Sequence, residues 1–298
     1  MYIINFIRGF CMALADSVPG VSGGTIAFIL GFYDKFINSL NNVVVGSKEE
    51  RKDAIKFLIK LGIGWVTGFI LSVLFITSVF ESHIYEISSM FLGFIIVAIP
   101  IIYKEERESI AGKYKNIIFL IIGIAIVAGI TYFNPATAGG TGVDVSVDNL
   151  SLTLGIYIFI SAMIAISAMV LPGISGSTIL LIFGLYSPIL SAIKELLKFN
   201  FNYLPVVMIF GVGVLAGIAI TIKGVKYSLA NYRSQTIYCI LGLMIGSLYA
   251  VVMGPTSLKT AQDPMTFSTF SIVYFIIGGL IIIGLERLKV QLEKRKSN

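Results

Sequence analysis

Apolar stretches recur along almost the whole chain, separated by short polar breaks. They fall at 3–18, 22–40, 57–79, 88–103 and 116–133, then at 151–171, 176–193, 205–222, 236–253 and 270–286. None alternates with a period of two, which argues against a β-barrel. Stretches near 20 residues suit membrane-crossing helices, and the shorter ones suit helices that re-enter the membrane or lie inside the protein. A polar, glycine-rich stretch at 134–150 divides the chain near its middle. The pattern predicts an all-α polytopic integral membrane protein, with membrane units at 1–133 and 151–298 joined by an external linker at 134–150.

Composition agrees. The chain is 56% hydrophobic and 13% charged, with a mean hydropathy of +0.92, whereas a soluble domain carries about 25% charged residues. So few charges cannot cover a water-facing surface. The net charge of +6 is not a nucleic-acid signal, because the Lys and Arg lie in short loops and at the C-terminus, where they set orientation. Cys11 and Cys239 sit in apolar stretches without ligand spacing and read as reduced, lipid-buried thiols, with no metal and no disulfide. His83, the single histidine, lies in a short loop beside Glu81. "IINFIRGFCMALA" imitates a signal peptide, but it lacks a charged leading region and holds Arg8 inside the apolar run, so it reads as retained.

The two units are related. "PGVSGGTIAFILGFY" begins at Pro19 and "PGISGSTILLIFGLY" at Pro172, with nine of fifteen positions identical. "GIGWVTG" (Gly62, Gly64, Gly68) matches "GVGVLAG" (Gly211, Gly213, Gly217), "FLGF" at 91–94 matches "ILGL" at 240–243, and "FLIIGIAI" at 119–126 matches "YFIIGGLI" at 274–281. Glycines at such spacing let helices pack closely in lipid. Each unit therefore reads as a broken hairpin followed by three helices.

Loop charges orient the units. The tail with Arg287, Lys289, Lys294, Arg295 and Lys296 is cytoplasmic by its charge, as are 223–235, 104–115 and 41–56. Alternation then puts 254–269, 194–204, 134–150 and 80–87 outside, with Lys194 and Lys198 running against the rule at 194–204. The loop after the first phrase is inside and the loop after the second is outside. The expected architecture is an inverted-topology repeat with two re-entrant hairpins and about six full spans, as in many secondary transporters; two full spans per hairpin is the alternative. Both termini are expected to be cytoplasmic.

The phrases carry the candidate chemistry. Pro19 and Pro172 end helices, Gly20 and Gly173 permit turns, and Ser22 and Ser175 suit the N-caps of new helices at Gly23 and Gly176. Broken backbone inside a membrane is tolerated where it is buried in protein or lines a watery cavity. Free N–H groups there, glycines that allow close approach (Gly24 among them), and the hydroxyls of Ser22, Thr25, Ser175, Ser177 and Thr178 make an anion site, for which phosphate is suited. Read blandly, each phrase is a kinked helix with a capping serine. Arg8 and Asp16 flank the first phrase, and the second has Ser161 and Met169 at those places. Intramembrane charges are functional by default: Arg8 meets an anionic head or snorkels to the surface, and Asp16 relays a proton, pairs with Arg8 or caps the break. Neither a metal-ligand cluster nor a nucleophile–base pair is present, which reads against an enzyme.

At "ADSVPGVSGGTIAFILGFYDKFI" and "VLPGISGSTILLIFGLYSPIL" the chain resembles the polyprenyl-phosphate translocases of the PopT type, long grouped as a domain of unknown function. The likeness covers nearly the whole chain. It implies a transporter of the bacterial cytoplasmic membrane, without a cofactor, that returns undecaprenyl phosphate, the lipid carrier of wall synthesis, from the outer to the cytoplasmic leaflet. Undecaprenyl phosphate, membrane lipids and a coupling ion, proton or sodium, are the implied partners. The residues alone equally suit a transporter or channel for a small anion.

Overall fold

A computed structural model describes residues 2–16, 22–71, 83–132, 145, 150–257 and 262–297. Regular structure among them is helical throughout. The first unit contains α1 (Tyr2–Asp16), α2 (Gly23–Ile29), α3 (Tyr33–Val45), α4 (Lys48–Leu71), α5 (Ile84–Glu105), the single turn α6 (Arg107–Ile110) and α7 (Ile117–Tyr132). In the second, α8 (Leu152–Val170), α9 (Gly176–Ile182), α10 (Tyr186–Leu197), α11 (Leu204–Asn231), α12 (Arg233–Met253) and α13 (Ile272–Ser297) follow in the same order.

Each phrase breaks twice rather than once. The expected continuous segments 22–40 and 176–193 are each two helices, because Gly31 and Gly184, at matching places, both adopt φ +64°. The N–H of Phe32 bonds back to Ala27 and that of Leu185 to Leu180, at 3.0 and 2.9 Å. This is the left-handed glycine stop that ends many helices. Beyond it α3 is amphipathic: Tyr33 and Ile37 are buried while Asp34, Lys35 and Asn38 are exposed. The expected loop 41–56 shrinks to Gly46 and Ser47, because α4 already starts at Lys48.

Six described helices are long and apolar enough to cross a membrane: Lys48–Leu71, Ile84–Glu105, Tyr114–Tyr132, Leu152–Val170, Phe201–Asn231 and Arg233–Thr256. Five are expected spans. The sixth, Leu152–Val170, is the first arm of the second hairpin, and Ile272–Gly284 is a shorter apolar helix. The chain is a multi-pass membrane protein. Its outer surface is apolar, as at Ile117, Ile118, Ile121 and Ile122 of α7.

Glycines set the packing, and they do so twice. α1 lies along α4 as α8 lies along α11, and α5 pairs with α13 as α12 pairs with α7, so the last helix of each unit packs on the other unit. A Cβ on Gly64 would strike the Phe6 carbonyl, and one on Gly213 would come within 2.5 Å of the Phe159 carbonyl. Gly93 likewise abuts the Phe275 carbonyl, and Gly242 that of Leu120. Gly62 and Gly211 depart from the close-packing expectation, since both face open space.

These contacts also give direction. Gly64 and Gly68 meet Phe6 and Phe10 in the same order, and Gly213 and Gly217 meet Phe159 and Met163 likewise. Hence α1 runs parallel to α4, and α8 to α11. In each unit the hairpin therefore starts and ends at the end where the next long helix begins. The counterparts α5 and α12 are antiparallel. Arg233, opening α12, pairs with Glu106 just past the end of α5, while Tyr85, near the start of α5, donates to the Asp263 carbonyl at 2.9 Å, beyond the end of α12.

Candidate functional site

The two phrases meet. The chain leaves α8 at Val170, so the Val170 and Leu171 carbonyls and the Gly173 N–H lack helical partners, and buried backbone must find others. Hydroxyls of the first phrase supply them. Ser22 Oγ, fully buried, accepts from the Thr25 N–H (3.3 Å) and donates to the Leu171 carbonyl (3.1 Å). Thr25 Oγ1, also buried, accepts from the Gly173 N–H at 2.7 Å. Tyr33 Oη donates to the Val170 carbonyl at 3.2 Å. The approach depends on Gly24, where a Cβ would come 2.8 Å from the Val170 carbonyl. Gly173 itself sits at φ +91°, and a Cβ there would come 2.6 Å from the carbonyl of Leu243.

The start of α2 is capped twice. Ser22 caps Thr25, and Asp16 Oδ1 accepts from the Gly23 N–H at 2.6 Å. The other oxygen of Asp16 accepts from the indole Nε1–H of Trp65 at 2.9 Å. Of the roles set out for Asp16, capping is the one this geometry displays. Arg8 donates from Nη1 to Asn5 Oδ1 at 3.4 Å and stands 4.7 Å above the ring of Phe32, the residue before α3.

The second phrase is built differently. Ser175 is buried, and its Oγ lies 2.8 Å from that of Ser177. Gly176 packs on α8, with a Cβ position 2.8 Å from the Ala165 carbonyl. Pro172 is buried in the turn and Thr178 is half-buried in the first turn of α9. Pro19 and Gly20 lie outside the described residues.

The structure thus brings Ser22, Gly23, Gly24, Thr25 and Asp16 together with Gly173 in one polar seam inside an apolar bundle. Trp65 and Tyr33 belong to it as well. Trp65 stands out in sequence as the one position in "GIGWVTG" where a large side chain faces Val214 in "GVGVLAG". Tyr33 closes the first phrase as Tyr186 closes the second, but Tyr33 is 2% exposed and Tyr186 36%.

Residues 12–269 match a family model described as undecaprenyl phosphate translocase-like. The chain is 39% identical to a polyprenyl-phosphate transporter of Staphylococcus aureus over 97% of its own length and 98% of that protein's. It is 32% identical to a polyprenyl-phosphate transporter of Vibrio cholerae, over 83% and 76% of the two chains. No solved structure matches the chain.

Proposed function

The chain belongs to the undecaprenyl phosphate translocase-like family, and from this we propose that it carries the phosphate head of undecaprenyl phosphate across the bacterial cytoplasmic membrane, from the outer to the cytoplasmic leaflet. The observation that carries the reading is the polar seam where the phrases meet. A phosphate loses its solvation in bare hydrocarbon, while an isoprenoid tail does not need to leave the lipid. A polar seam inside an apolar bundle is the path such a molecule requires: Ser22, Gly23, Gly24 and Thr25 from one side, Pro172, Gly173, Ser175, Gly176, Ser177 and Thr178 from the other. Several of these groups are already hydrogen-bonded across the seam, so passage of the head exchanges protein bonds for phosphate bonds.

The two units are inverted with respect to each other in this reading, with re-entrant hairpins and cytoplasmic termini. The antiparallel placement of α5 and α12, and the return of each hairpin to the end it started from, support it. Single cysteines at Ser47 and Ser146, in a chain lacking Cys11 and Cys239, label from opposite faces if it is right. Labelling from one face sinks the inversion.

Arg8 attracts the head, and Asp16 relays a coupling proton when the cap opens. Reconstitution in liposomes with labelled undecaprenyl phosphate, following leaflet exchange, tests transport directly. Exchange no faster than in empty liposomes would remove the function. In the same assay Arg8→Ala is expected to lose most of the rate and Arg8→Lys to keep part of it, since the charge remains.

A further inference from the structure

Away from the seam, one cluster of charges joins three separate parts of the chain. Arg233 opens α12. Its Nε and Nη2 donate to the two oxygens of Glu106 at 3.0 and 2.5 Å, and its Nη1 donates to Asp34 Oδ2 at 3.2 Å. Glu106 follows α5, and Asp34 lies in the first turn of α3, so the guanidinium bridges the antiparallel α5–α12 core and the first hairpin.

The two arms are unequal. Toward Glu106 the contact is a fork on a carboxylate that is 16% exposed, the strong, geometrically fixed kind. Toward Asp34 it is a single bond to a carboxylate 49% exposed, the kind that contributes little. Arg233 is therefore held by the core, while its grip on the hairpin can open. The ion pairs line a half-open cleft of about 200 Å³ together with Phe28, Tyr33, Ile102 and Glu105. The helices that carry Asp34 and Phe28 also carry Ser22, Thr25 and Tyr33 to the second phrase, so a shift of this hairpin reaches the seam. At the matching places of the other unit stand Ser187 for Asp34, Pro255 for Glu106 and Ile84 for Arg233, none of them charged.

We propose that Arg233 is a one-sided ionic latch: by holding Asp34 it keeps the first hairpin seated on the α5–α12 core beside this cleft, and release of Asp34 is the step that widens this face during transport. This rests on the transport reading above. Arg233 is a positioning residue here; it acts through the hairpin rather than on the phosphate, which the surrounding Asp34, Glu105 and Glu106 would repel.

Two readouts test it, both in a chain with Cys11 and Cys239 replaced. First, Ile102→Cys, now 1% exposed, is modified with a membrane-impermeant thiol reagent. Adding Asp34→Asn is expected to speed modification about two- to fivefold, the size of one exposed ion pair, and raised salt is expected to speed the parent but not the Asp34→Asn chain. Second, Asp34→Cys with Glu105→Cys, which leaves Arg233 and Glu106 in place, is tethered with a short cleavable thiol cross-linker. Leaflet exchange of undecaprenyl phosphate should stop and return on cleavage. Equal modification rates with and without Asp34→Asn, or undiminished exchange in the tethered protein, would overturn the latch. Absence of exchange in the untethered parent would instead overturn the transport reading, and the modification rates would still decide whether Arg233 holds the hairpin over Ile102.

Discussion

The two broken phrases share a backbone but not a chemistry. Gly31 and Gly184 turn the chain at the same angle, and the glycines of the long helices meet the same partner carbonyls in both units. Yet Asp16, Trp65, Arg8 and Asp34 of the first unit face Met169, Val214, Ser161 and Ser187 in the second. Close packing depends on the absence of side chains, which a duplication preserves in both copies. The hydroxyls Ser22 and Thr25 recur as Ser175 and Thr178, but the charged and indole side chains stand in one copy. The glycine packing repeats in both units, and the charged groups do not.

The sharpest way to break the scaffold half of that statement is at Gly93 and Gly242. In each, a Cβ would run into a carbonyl on the partner helix, Phe275 or Leu120, and backbone on a packed helix cannot move aside cheaply. Gly93→Val and Gly242→Val are each expected to cost about 1–3 kcal/mol or more, by similar amounts, read as loss of folded protein and a lower unfolding midpoint in detergent. A large loss at one position and none at the other would mean the pairings are not equivalent.

Much of this scaffold was legible in the sequence because it repeats. Pro-Gly breaks, glycine spacing and apolar lengths are local signals, and finding each twice confirmed which of them mattered. The contacts of the seam were not legible. Ser22 and Leu171 are 149 residues apart, and Asp34 and Arg233 are 199 apart, so no periodicity links them. The second break at Gly31 was present in "ILGFYD", but in a continuous apolar run a single glycine does not distinguish a helix stop from a packing position.

The chemical half is tested next at Asp16. Asp16→Ala removes a cap and leaves the Gly23 and Trp65 N–H groups without their acceptor, with an expected loss of about 2–3 kcal/mol. Trp65→Phe alone should lose less, about 1 kcal/mol, and almost nothing once Asp16 is already Ala, a coupling visible in a double-mutant cycle. The matching cycle of Met169→Ala and Val214→Ala in the second unit should be additive. Asp16→Asn keeps an acceptor for Gly23 but cannot ionise, so it is expected to flatten the pH dependence of leaflet exchange; an unaltered pH profile would take Asp16 out of proton coupling.

Thr25 sharpens the comparison at a smaller scale. Thr25→Val keeps the side-chain shape and leaves the buried N–H of Gly173 without a partner, for an expected loss of about 1–3 kcal/mol. Thr178, half-buried at the matching place, should give less than about 0.5 kcal/mol in Thr178→Val. Equal losses in chemical denaturation would show that the seam is bonded from both sides, and the asymmetry would then be confined to the charged groups.

The smallest expected effect is the most informative about what surrounds the protein. Gly62 and Gly211 are interior to α4 and α11, and a Cβ at either meets nothing within 4 Å. Glycine inside a helix is less favourable than alanine by roughly 0.5–1 kcal/mol, because the unfolded chain has more freedom to lose. With no neighbour to strike, Gly62→Ala and Gly211→Ala should each stabilise the protein by up to that amount, and by the same amount, with leaflet exchange unchanged. Exchange is the discriminating measurement. If either variant folds as well as the parent yet moves undecaprenyl phosphate more slowly, the added methyl group meets something that only the working protein contains. An isoprenoid tail lying along that helix would be such a partner. Slowing at one glycine and not the other would then extend the asymmetry of the two units from their polar seam to their lipid-facing sides.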